Sequence, residues 1–381
     1  MTDRRKRRRL TLTAVTGLGL CLTLVPTGQA QAQNRAPQAP TRVPCNDIAA
    51  LKTAIDNANA DGGSIVLAPR CTYSLTAADN TDDGLPEITG NVRISGGERT
   101  IIQRSPNAAD AFRIFHVQQT GRLSLGSVTL RGGEAGGTGP GDRGGAISND
   151  RGTLTLTGVT VRNNSAGFLA GGIWNNLGSL VLKDTTVHDN SSSVAGGVAT
   201  SGTMTMRGGA IRGNVAGMWA GGLANGGETT LNHTSVEGND AEESGGGVMT
   251  LEINGRTGPL RLNSTHVGGN IAALHGGGLF IGSRETTTLY RSTVTRNAAN
   301  GGPGSGGGIR NDGSQFGIVL SPGTSERKQS SSAGRPLPKV NLIKSRVFEN
   351  TPDNCAPPRS VPRCDAVGSA PAKNALKPGR N

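Results

Sequence analysis

GGIWNNLGSLVLKDTTVHDN, residues 171–190, is one copy of a phrase that recurs through the middle of this chain. Related phrases occupy residues 144–164, 196–214, 221–239 and 246–270, and the pattern continues to Asn311. Each copy opens with two glycines and closes on an asparagine. The chain is therefore a tandem repeat, and neighbouring copies are expected to build its fold together.

Three apolar positions and one asparagine keep a fixed register from unit to unit. The first apolar position recurs every 25 to 31 residues, at Ile147, Ile173, Val198, Leu223, Val248, Leu279 and Ile309. The second and third are five positions apart, from Leu156 and Val161 in one unit to Leu342 and Val347 in the last. An asparagine follows three positions later in all seven units: Asn164, Asn190, Asn214, Asn239, Asn270, Asn297 and Asn350.

The apolar segments of each unit predict β-strands. They are short and β-branched, they alternate with period two, and they lack the 3.6-residue spacing of a helix. We expect three strands per turn. A unit this small cannot bury its own apolar face, so the units must stack about 4.8 Å apart around a shared core. The sequence therefore predicts an all-β solenoid, a parallel β-helix, of roughly nine or ten turns.

The asparagine column is interpreted as a structural ladder. Stacked asparagines can hydrogen-bond amide to amide along the column. Asparagine also tolerates the left-handed backbone conformation that a sharp corner needs. A partial second column has the same interpretation: Asn149, Asn175, Asn225 and Asn311.

The repeated GGIxN, LTL and VxxN phrases resemble those of right-handed parallel β-helix repeat proteins in the pectin-lyase-like superfamily. They are most similar to secreted bacterial proteins with polymorphic outer membrane protein repeats. The resemblance covers residues 45–364 and implies a single-stranded, right-handed parallel β-helix. It is specific for architecture and not for a reaction.

Residues 1–32 are typical of a signal peptide. A basic stretch at 4–9 precedes an apolar run at 10–26, and cleavage is expected after Ala32. A Pro-rich linker follows at 33–44. No later stretch approaches the roughly 20 apolar residues of a membrane span. We expect a secreted, extracellular monomer.

Charge and composition argue against a nucleic-acid partner. Removing residues 1–32, which carry six basic residues and one acidic residue, lowers the formal net charge from +12 to +7. The remaining cations are scattered, and only 3% of residues are aromatic. A nucleic-acid groove built on base stacking needs aromatic side chains among clustered cations.

Residues 45–364 are expected to form one β-helix domain. Asn46 or Asp47 can cap a helix that ends at Gly62 and would cover the open end of the stack. Its apolar face consists of Ile48, Leu51 and Ile55. A Ser-, Pro- and charge-rich insertion at 321–339 is predicted to be a mobile loop, and the tail at 365–381 is predicted to be disordered.

Four cysteines remain after the signal peptide, and exported proteins commonly form disulfides. Three pairings are possible, and zinc ligation is the alternative. Cys45 and Cys71 belong to one end of the stack, and Cys355 and Cys364 belong to the other, so the four cannot meet at one ion. We predict the bridges Cys45–Cys71 and Cys355–Cys364, no metal site and no cofactor.

Enzymes of this architecture that act on acidic polysaccharides use carboxylates from adjacent turns, or a base beside a cation. The position after the third apolar residue instead carries a run of cations in consecutive units: Arg131, Arg162, His188 and Arg212, followed by Glu237. An ordinary solvated face explains such a run, as surface charges usually do. The functional interpretation is a site for an anionic polymer, with His188 as the base of a lyase and Arg162 or Arg212 as its carboxylate clamp.

Apolar residues also recur at the corner that precedes each glycine pair, and both tryptophans of the chain lie beside it. The candidate ligand-contact residues are Phe168, Leu169, Trp174, Met218, Trp219 and Leu274. They either pack locally or form a stacking platform for sugar rings or for another protein.

The sequence favours a secreted protein that binds an extracellular polymer or surface, with a polysaccharide or cell-wall polymer as the expected partner. No reaction is assigned. The alternative is a polysaccharide lyase or glycoside hydrolase that acts on acidic glycans, and a purely structural role at a cell wall is a third interpretation.

Overall fold

The computed structural model describes residues 39–136, 139–321, 324–330 and 336–364. The predicted signal peptide, the predicted linker as far as residue 38 and the predicted tail lie outside the described residues. From residue 39 the chain forms an all-β parallel solenoid of about ten turns, as the repeat predicts.

The turns pass through four parallel sheets in a fixed order, which we number 1 to 4. The strands of sheet 1 are Thr41–Val43, Gly63–Leu67, Asn91–Ser95, Arg122–Gly126, Thr153–Thr157, Ser179–Lys183, Thr203–Arg207, Glu228–Asn232, Leu260–Asn263, Thr287–Tyr290 and Val340–Ile343. Those of sheet 2 are Thr72–Leu75, Ile101–Arg104, Thr129–Arg131, Thr160–Arg162, Thr186–His188, Ala210–Arg212, Ser235–Glu237, His266–Gly268, Thr293–Thr295 and Arg346–Phe348.

Sheets 3 and 4 complete each turn. The strands of sheet 3 are Glu134–Ala135, Ser165–Ala166, Ser191–Val194, Val215–Trp219, Asp240–Ala241, Ile271–Ala272 and Ala298–Ala299. Those of sheet 4 are Phe115–Val117, Ile147–Asp150, Ile173–Asn176, Val198–Thr200, Leu223–Asn225, Val248–Thr250, Leu279–Ile281, Ile309–Asn311 and Cys355–Ala356. A short 3-10 helix, Gly139–Asp142, lies between sheets 3 and 4 of one turn.

Sheet 3 differs from the predicted three strands per turn. Its strands are two to five residues long and follow the ladder asparagine directly, as Ser165–Ala166 follows Asn164. Segments this short carry no apolar alternation, so the periodicity that indicates the other strands gives no signal here. Among the described residues, Glu134–Ala135 is the first strand of sheet 3 along the chain.

The apolar register residues fill the space between the sheets. In one turn, Ile147, Leu156 and Val161 are all completely buried, and they belong to one core cluster that continues along the solenoid. Burying a side chain of this size contributes about 1.5–3 kcal/mol. Each unit relies on its neighbours to exclude water, so the core is shared along the stack.

The seven asparagines form a continuous, buried hydrogen-bonded ladder. From Asn164 to Asn297, each Nδ2 donates to the Oδ1 of the asparagine one turn further on, at 2.8–2.9 Å. The backbone N–H of each also donates to that same Oδ1, at 3.0–3.1 Å. Asn350 ends the series by donating to Asn354.

The left-handed backbone conformation lies one residue earlier than the sequence suggests. Among the described residues with positive φ are the immediate predecessors of ladder asparagines: Asn163, Asp189, Gly213, Gly238, Gly269, Arg296 and Glu349. The ladder asparagines are therefore selected for their amides and not for their backbone conformation.

The predicted capping helix is present as Ile48–Asp61, the one α-helix of the described chain. Asp47 caps it by accepting a hydrogen bond from the Ala50 N–H, and Gly62 ends it. Leu51 and Ile55 are buried in the core of the first turns. No helix in the described ranges has the length and apolar character needed to cross a membrane.

Both predicted disulfides are confirmed. Cys45–Cys71 connects the segment before the helix to the first turn, and Cys355–Cys364 lies at the C-terminal end. Thr41–Val43, inside the predicted linker, forms the edge strand of sheet 1 and pairs with Gly63–Leu67.

The late insertion contains a hairpin that covers part of sheet 4. Gln315–Ser321 pairs antiparallel with Thr324–Ser330 and parallel with Glu252–Ile253. Residues 324–330 of the predicted mobile loop are therefore a strand, whereas 322–323 and 331–335 lie outside the described residues.

Candidate functional site

The third residue of the sheet 2 strands faces outward, and in four consecutive turns it is basic. Arg131 pairs in register with Arg162, Arg162 with His188, and His188 with Arg212. Neighbouring strands of a sheet lie about 4.8 Å apart, so these side chains occupy consecutive turns at close spacing. We name Arg131, Arg162, His188 and Arg212 the cationic row. Glu237 occupies the next turn and ends it.

The arginines of the cationic row have neutral hydrogen-bond partners. Arg131 Nε donates to Gln103 Oε1 at 2.6 Å, and Arg162 Nη1 donates to Asn163 Oδ1 at 2.8 Å. Arg212 is exposed. Within the described ranges, no carboxylate forms a salt bridge with any of the three guanidinium groups. None of the three guanidinium groups is therefore held in a direct ion pair.

His188 lies between two of these arginines. Its Nδ1 is 2.7 Å from Asp189 Oδ2, and the Asp189 carboxylate is about half exposed. A carboxylate that holds Nδ1 orients the ring and leaves Nε2 available to accept a proton. His188 pairs in register with Arg162 on one side and with Arg212 on the other. The row can therefore present a base between two cations.

A surface depression of about 370 Å³ begins at the same place. It is lined by Gln103, Arg104, Pro106, Arg131, Gly132, Arg162 and Asn163. Arg104 forms a salt bridge of 3.3 Å with Glu134 and lies over the ring of Phe112. The depression therefore presents guanidinium groups to an anionic group that enters it.

A second groove, of about 480 Å³, crosses five turns at the corner from sheet 4 to sheet 1. Its walls carry hydroxyl groups, among them those of Thr153, Ser179 and Thr203. A Cβ atom on Gly202 would lie 2.1 Å from the Gly178 carbonyl oxygen, so a larger residue does not fit the floor. This groove is open and is lined in part by hydroxyl groups.

The predicted ligand-contact residues do not form an exposed platform. Three are buried in a second hydrophobic cluster outside sheet 4: Leu169 at 0%, Trp174 at 1% and Trp219 at 4% exposure. Phe168 and Met218 lie at its partly buried margin, and Leu274 is 46% exposed. The local-packing interpretation describes this corner, and the tryptophan rings are not available to sugar rings.

Strand alternation correctly directs Trp174 away from the main core, and Trp174 belongs to the second hydrophobic cluster together with the corner residues Leu169 and Val194. The hairpin covers the part of this cluster nearer the C-terminus. Phe316 packs edge-on against Trp219 and Phe280, with ring centroids 5.5 and 5.0 Å apart. Trp219 Nε1 also donates to Glu243 Oε2 at 2.7 Å.

Charged residues replace apolar ones at the N-terminal end of this same face. His116 occupies the sheet 4 position that Ser148 takes one turn later and Trp174 two turns later. Backbone bridges bring Asp83 beside Arg113 and place Glu87 beside His116. We name these residues, with two neighbouring aspartates, the charged cluster: Asp82, Asp83, Glu87, Arg113, His116 and Asp150.

The charged cluster is held by short, partly buried contacts. Arg113 donates to Asp83 Oδ1 and to Asp82 Oδ2, both at 3.0 Å. Asp83 and Arg113 are both buried. His116 Nε2 lies 2.7 Å from Asp150 Oδ2. The sequence prediction missed this arrangement.

The electrostatics of the charged cluster favour ionised groups. Burial disfavours a charge on His116, but its hydrogen bond with Asp150 and the nearby Asp83 carboxylate raise its pKa to about 9. Burial likewise opposes ionisation of Asp83 and Asp150. The adjacent His116 ring and the charge of Arg113 outweigh that effect, so the pKa of each carboxyl is lowered.

The sequence carried only weak signals for the charged cluster. Its residues come mostly from the irregular first turns, where the repeat register is not established. Asp150 directly follows Asn149 of the second asparagine column, and His116 falls on the outward side of the strand Phe115–Val117. Only the fold brings these positions together with residues 82–87, which precede His116 by about 30 positions and Asp150 by more than 60.

Comparison with known proteins assigns this chain to no family: no protein-family model, no curated protein and no solved structure matches it. The class that the fold defines is a parallel β-solenoid with two disulfides.

Proposed function

We propose that this protein is an exported solenoid that binds an extended anionic polysaccharide along sheet 2. The cationic row carries the proposal. It places arginines on consecutive turns without a carboxylate partner among the described residues. A polymer with regularly spaced acidic groups matches such a row, because guanidinium groups bind carboxylates and sulfates through paired hydrogen bonds.

The energetics support a ligand for the row. Like charges about 4 Å apart repel by about 1 kcal/mol in water, and by more at a protein surface. Arg131 and Arg162 are adjacent in the stack, so their repulsion is present in the free protein. An anionic chain laid across the row removes this repulsion and adds charge-assisted hydrogen bonds.

The compartment and the lineage belong to the same proposal. Disulfides persist in oxidising environments, and this chain has two, which supports export. The parallel solenoid agrees with the architecture that the repeat resemblance implies. On that resemblance we include in the proposal a place in the pectin-lyase-like superfamily and a bacterial, secreted, monomeric protein.

The test is binding by residues 33–381 to polygalacturonate, heparin and neutral dextran. We expect the two anionic polymers to bind. Arg162→Gln with Arg212→Gln removes two charge-assisted contacts of about 1.5–3 kcal/mol each, so affinity falls at least tenfold. The matched control, Arg93→Gln with Arg122→Gln, makes the same charge change at exposed positions of sheet 1 and leaves affinity nearly unchanged.

Two outcomes contradict the proposal. Equal weakening in both double variants means that net charge alone attracts the polymer. If the folded protein binds neither polygalacturonate nor heparin, an anionic polysaccharide is not its ligand.

A lyase is the second candidate, because His188 lies between two arginines with its ring oriented by Asp189. A lyase removes the C5 proton of an acidic sugar while the glycosidic C4–O bond breaks and the departing oxygen takes up a proton. The new chain end is an unsaturated uronate, which absorbs in the ultraviolet. If the protein degrades polygalacturonate in this way, His188→Gln abolishes the product and retains polymer binding. Binding without any such product favours the non-catalytic function.

A further inference from the structure

Three ligand atoms converge inside the charged cluster. His116 Nδ1 lies 3.4 Å from Asp83 Oδ2 and 3.5 Å from Glu87 Oε1. Across the described chain, neither His116 Nδ1 nor Asp83 Oδ2 has a hydrogen-bond partner, although Asp83 is completely buried. Buried polar atoms are almost always partnered, so the convergence of these atoms indicates a ligand.

The distances fit a metal ion better than a shared proton. Hydrogen bonds from nitrogen to oxygen measure about 2.7–3.2 Å, which is shorter than both separations. Bonds of about 2.0–2.1 Å in tetrahedral geometry place neighbouring ligand atoms about 3.4 Å apart, and these are the bond lengths of Zn²⁺ with histidine and carboxylate. The two edges of the triad that meet at His116 Nδ1 therefore have the length found in a zinc site, and the third lies within 4.8 Å.

The histidine is oriented as a metal ligand. Its other ring nitrogen, Nε2, lies 2.7 Å from Asp150 Oδ2, and Asn176 Nδ2 donates to Asp150 Oδ1 at 2.8 Å. Metal-binding histidines commonly donate their second N–H to a carboxylate, which fixes the ring and the tautomer. Here that contact directs Nδ1 towards Asp83 and Glu87.

The two carboxylates are also held in place. Arg113 binds Asp83 through Oδ1, which leaves Oδ2 directed at the histidine. Gln118 Nε2 donates to Glu87 Oε1 at 2.9 Å. One side of the triad is accessible, because the Glu87 side chain is 41% exposed.

The local charge favours a cation. The charged cluster contains four carboxylates and one guanidinium, so it has an excess of three negative charges when the imidazole is neutral. The neighbouring Asp142–Arg143 pair, at 3.3 Å, adds no net charge. A divalent ion offsets most of that excess.

We propose that Asp83, Glu87 and His116 bind a divalent transition-metal ion of the Zn²⁺ type, with a fourth position open to solvent. The atoms of these three side chains lie within 4.8 Å of one another, and no other such group occurs in the described ranges. The ion joins the loop at 83–87 to the sheet 4 strand Phe115–Val117. This site is separate from the cationic row, and the proposal departs from the sequence prediction of no metal.

The test is calorimetric titration of tag-free, EDTA-treated protein with Zn²⁺, beside Ca²⁺ and Mg²⁺. The titration is run at pH 8 in buffers of different ionisation enthalpy, because His116, with a pKa of about 9, still carries a proton there that Zn²⁺ must displace, so binding releases protons. We expect one Zn²⁺ per chain, and a melting temperature that rises with free Zn²⁺ because the ion binds the folded state. Glu87→Gln weakens binding at least tenfold, and Asp150→Asn weakens it about 10- to 100-fold.

The matched control is Glu228→Gln, an exposed glutamate that pairs with Arg261 outside the charged cluster, and it retains full Zn²⁺ affinity. Glu87 is partly exposed, so its variant keeps the fold, which circular dichroism verifies. Absence of Zn²⁺ binding, a preference for Ca²⁺, or unchanged affinity in Glu87→Gln each overturns the proposal.

Discussion

Each side chain of the asparagine ladder is shared between three turns. Asn214 Nδ2 donates forward to Asn239 Oδ1 at 2.9 Å and backward to the Val187 carbonyl at 3.1 Å. Its Oδ1 accepts both the backbone N–H and the Nδ2 of Asn190. One truncation therefore leaves buried polar groups unpaired in two neighbouring units.

We expect Asn214→Ala to lower the free energy of unfolding by about 1–3 kcal/mol, the usual cost of buried polar groups that lose their partners. Urea unfolding measures the change. Asn300→Ala, at an exposed loop position, serves as the control and stays within about 0.5 kcal/mol of the parent. Equal stabilities of the two variants would contradict the structural role of the ladder.

Residue positions were predictable where the repeat sets them and not elsewhere. The three-residue spacing after the third apolar position located every ladder asparagine. Burial of Trp174 depends on the corner residues that pack outside sheet 4, and assembly of the charged cluster depends on the distant loop at 83–87. Alternation along a strand gives the direction of a side chain and not what later covers it.

At the scale of elements, the hairpin Gln315–Ser330 changes the character of a whole face. The outer column of sheet 4 passes from Trp174 through alanines to Met249 and Phe280, all buried in the second hydrophobic cluster. Ile318 of the hairpin belongs to that cluster and is also buried. An insertion has therefore become part of the packed structure.

We expect Trp174→Ala to destabilise the protein by about 3–5 kcal/mol, as for other buried aromatic residues cut back to alanine. Leu274→Ala, at a 46% exposed position of the same corner, changes stability by less than about 0.5 kcal/mol. Thermal unfolding of both variants tests this. A Trp174→Ala protein as stable as the parent would contradict the packing of Trp174 in the second hydrophobic cluster.

At the scale of the whole molecule, an open solenoid exposes core and strand edges at its ends. Here the N-terminal end is covered by the helix Ile48–Asp61, whose Leu51 and Ile55 enter the core. Cys45–Cys71 ties this cap to the first turn across 26 residues, whereas Cys355–Cys364 closes only 9.

Loop-closure entropy predicts unequal contributions from the two bridges. Replacing Cys45 and Cys71 by serine costs about 3.5 kcal/mol, and replacing Cys355 and Cys364 costs about 2.6 kcal/mol. Denaturant unfolding of the two double variants measures the difference. A larger loss at the C-terminal bridge would mean that native contacts there, and not chain entropy, control the stability of the ends.

The sequence predicted the architecture well because the whole molecule repeats one rule. Helix, turns, ladder and disulfides all follow from local spacing. The sheet 3 strands are too short to show a period, and the hairpin departs from the repeat, so neither could be derived from it.

The ladder also has a consequence for how such a chain changes length. Every internal asparagine offers the same donor to the next turn and the same acceptor to the previous one, so the units are interchangeable at their contacts. The spacing between successive ladder asparagines already ranges from 24 to 53 residues without a break in the hydrogen bonding. Duplication or loss of one whole unit therefore preserves every contact along the column, and gene-level gain or loss of repeats becomes a neutral route to longer or shorter descendants.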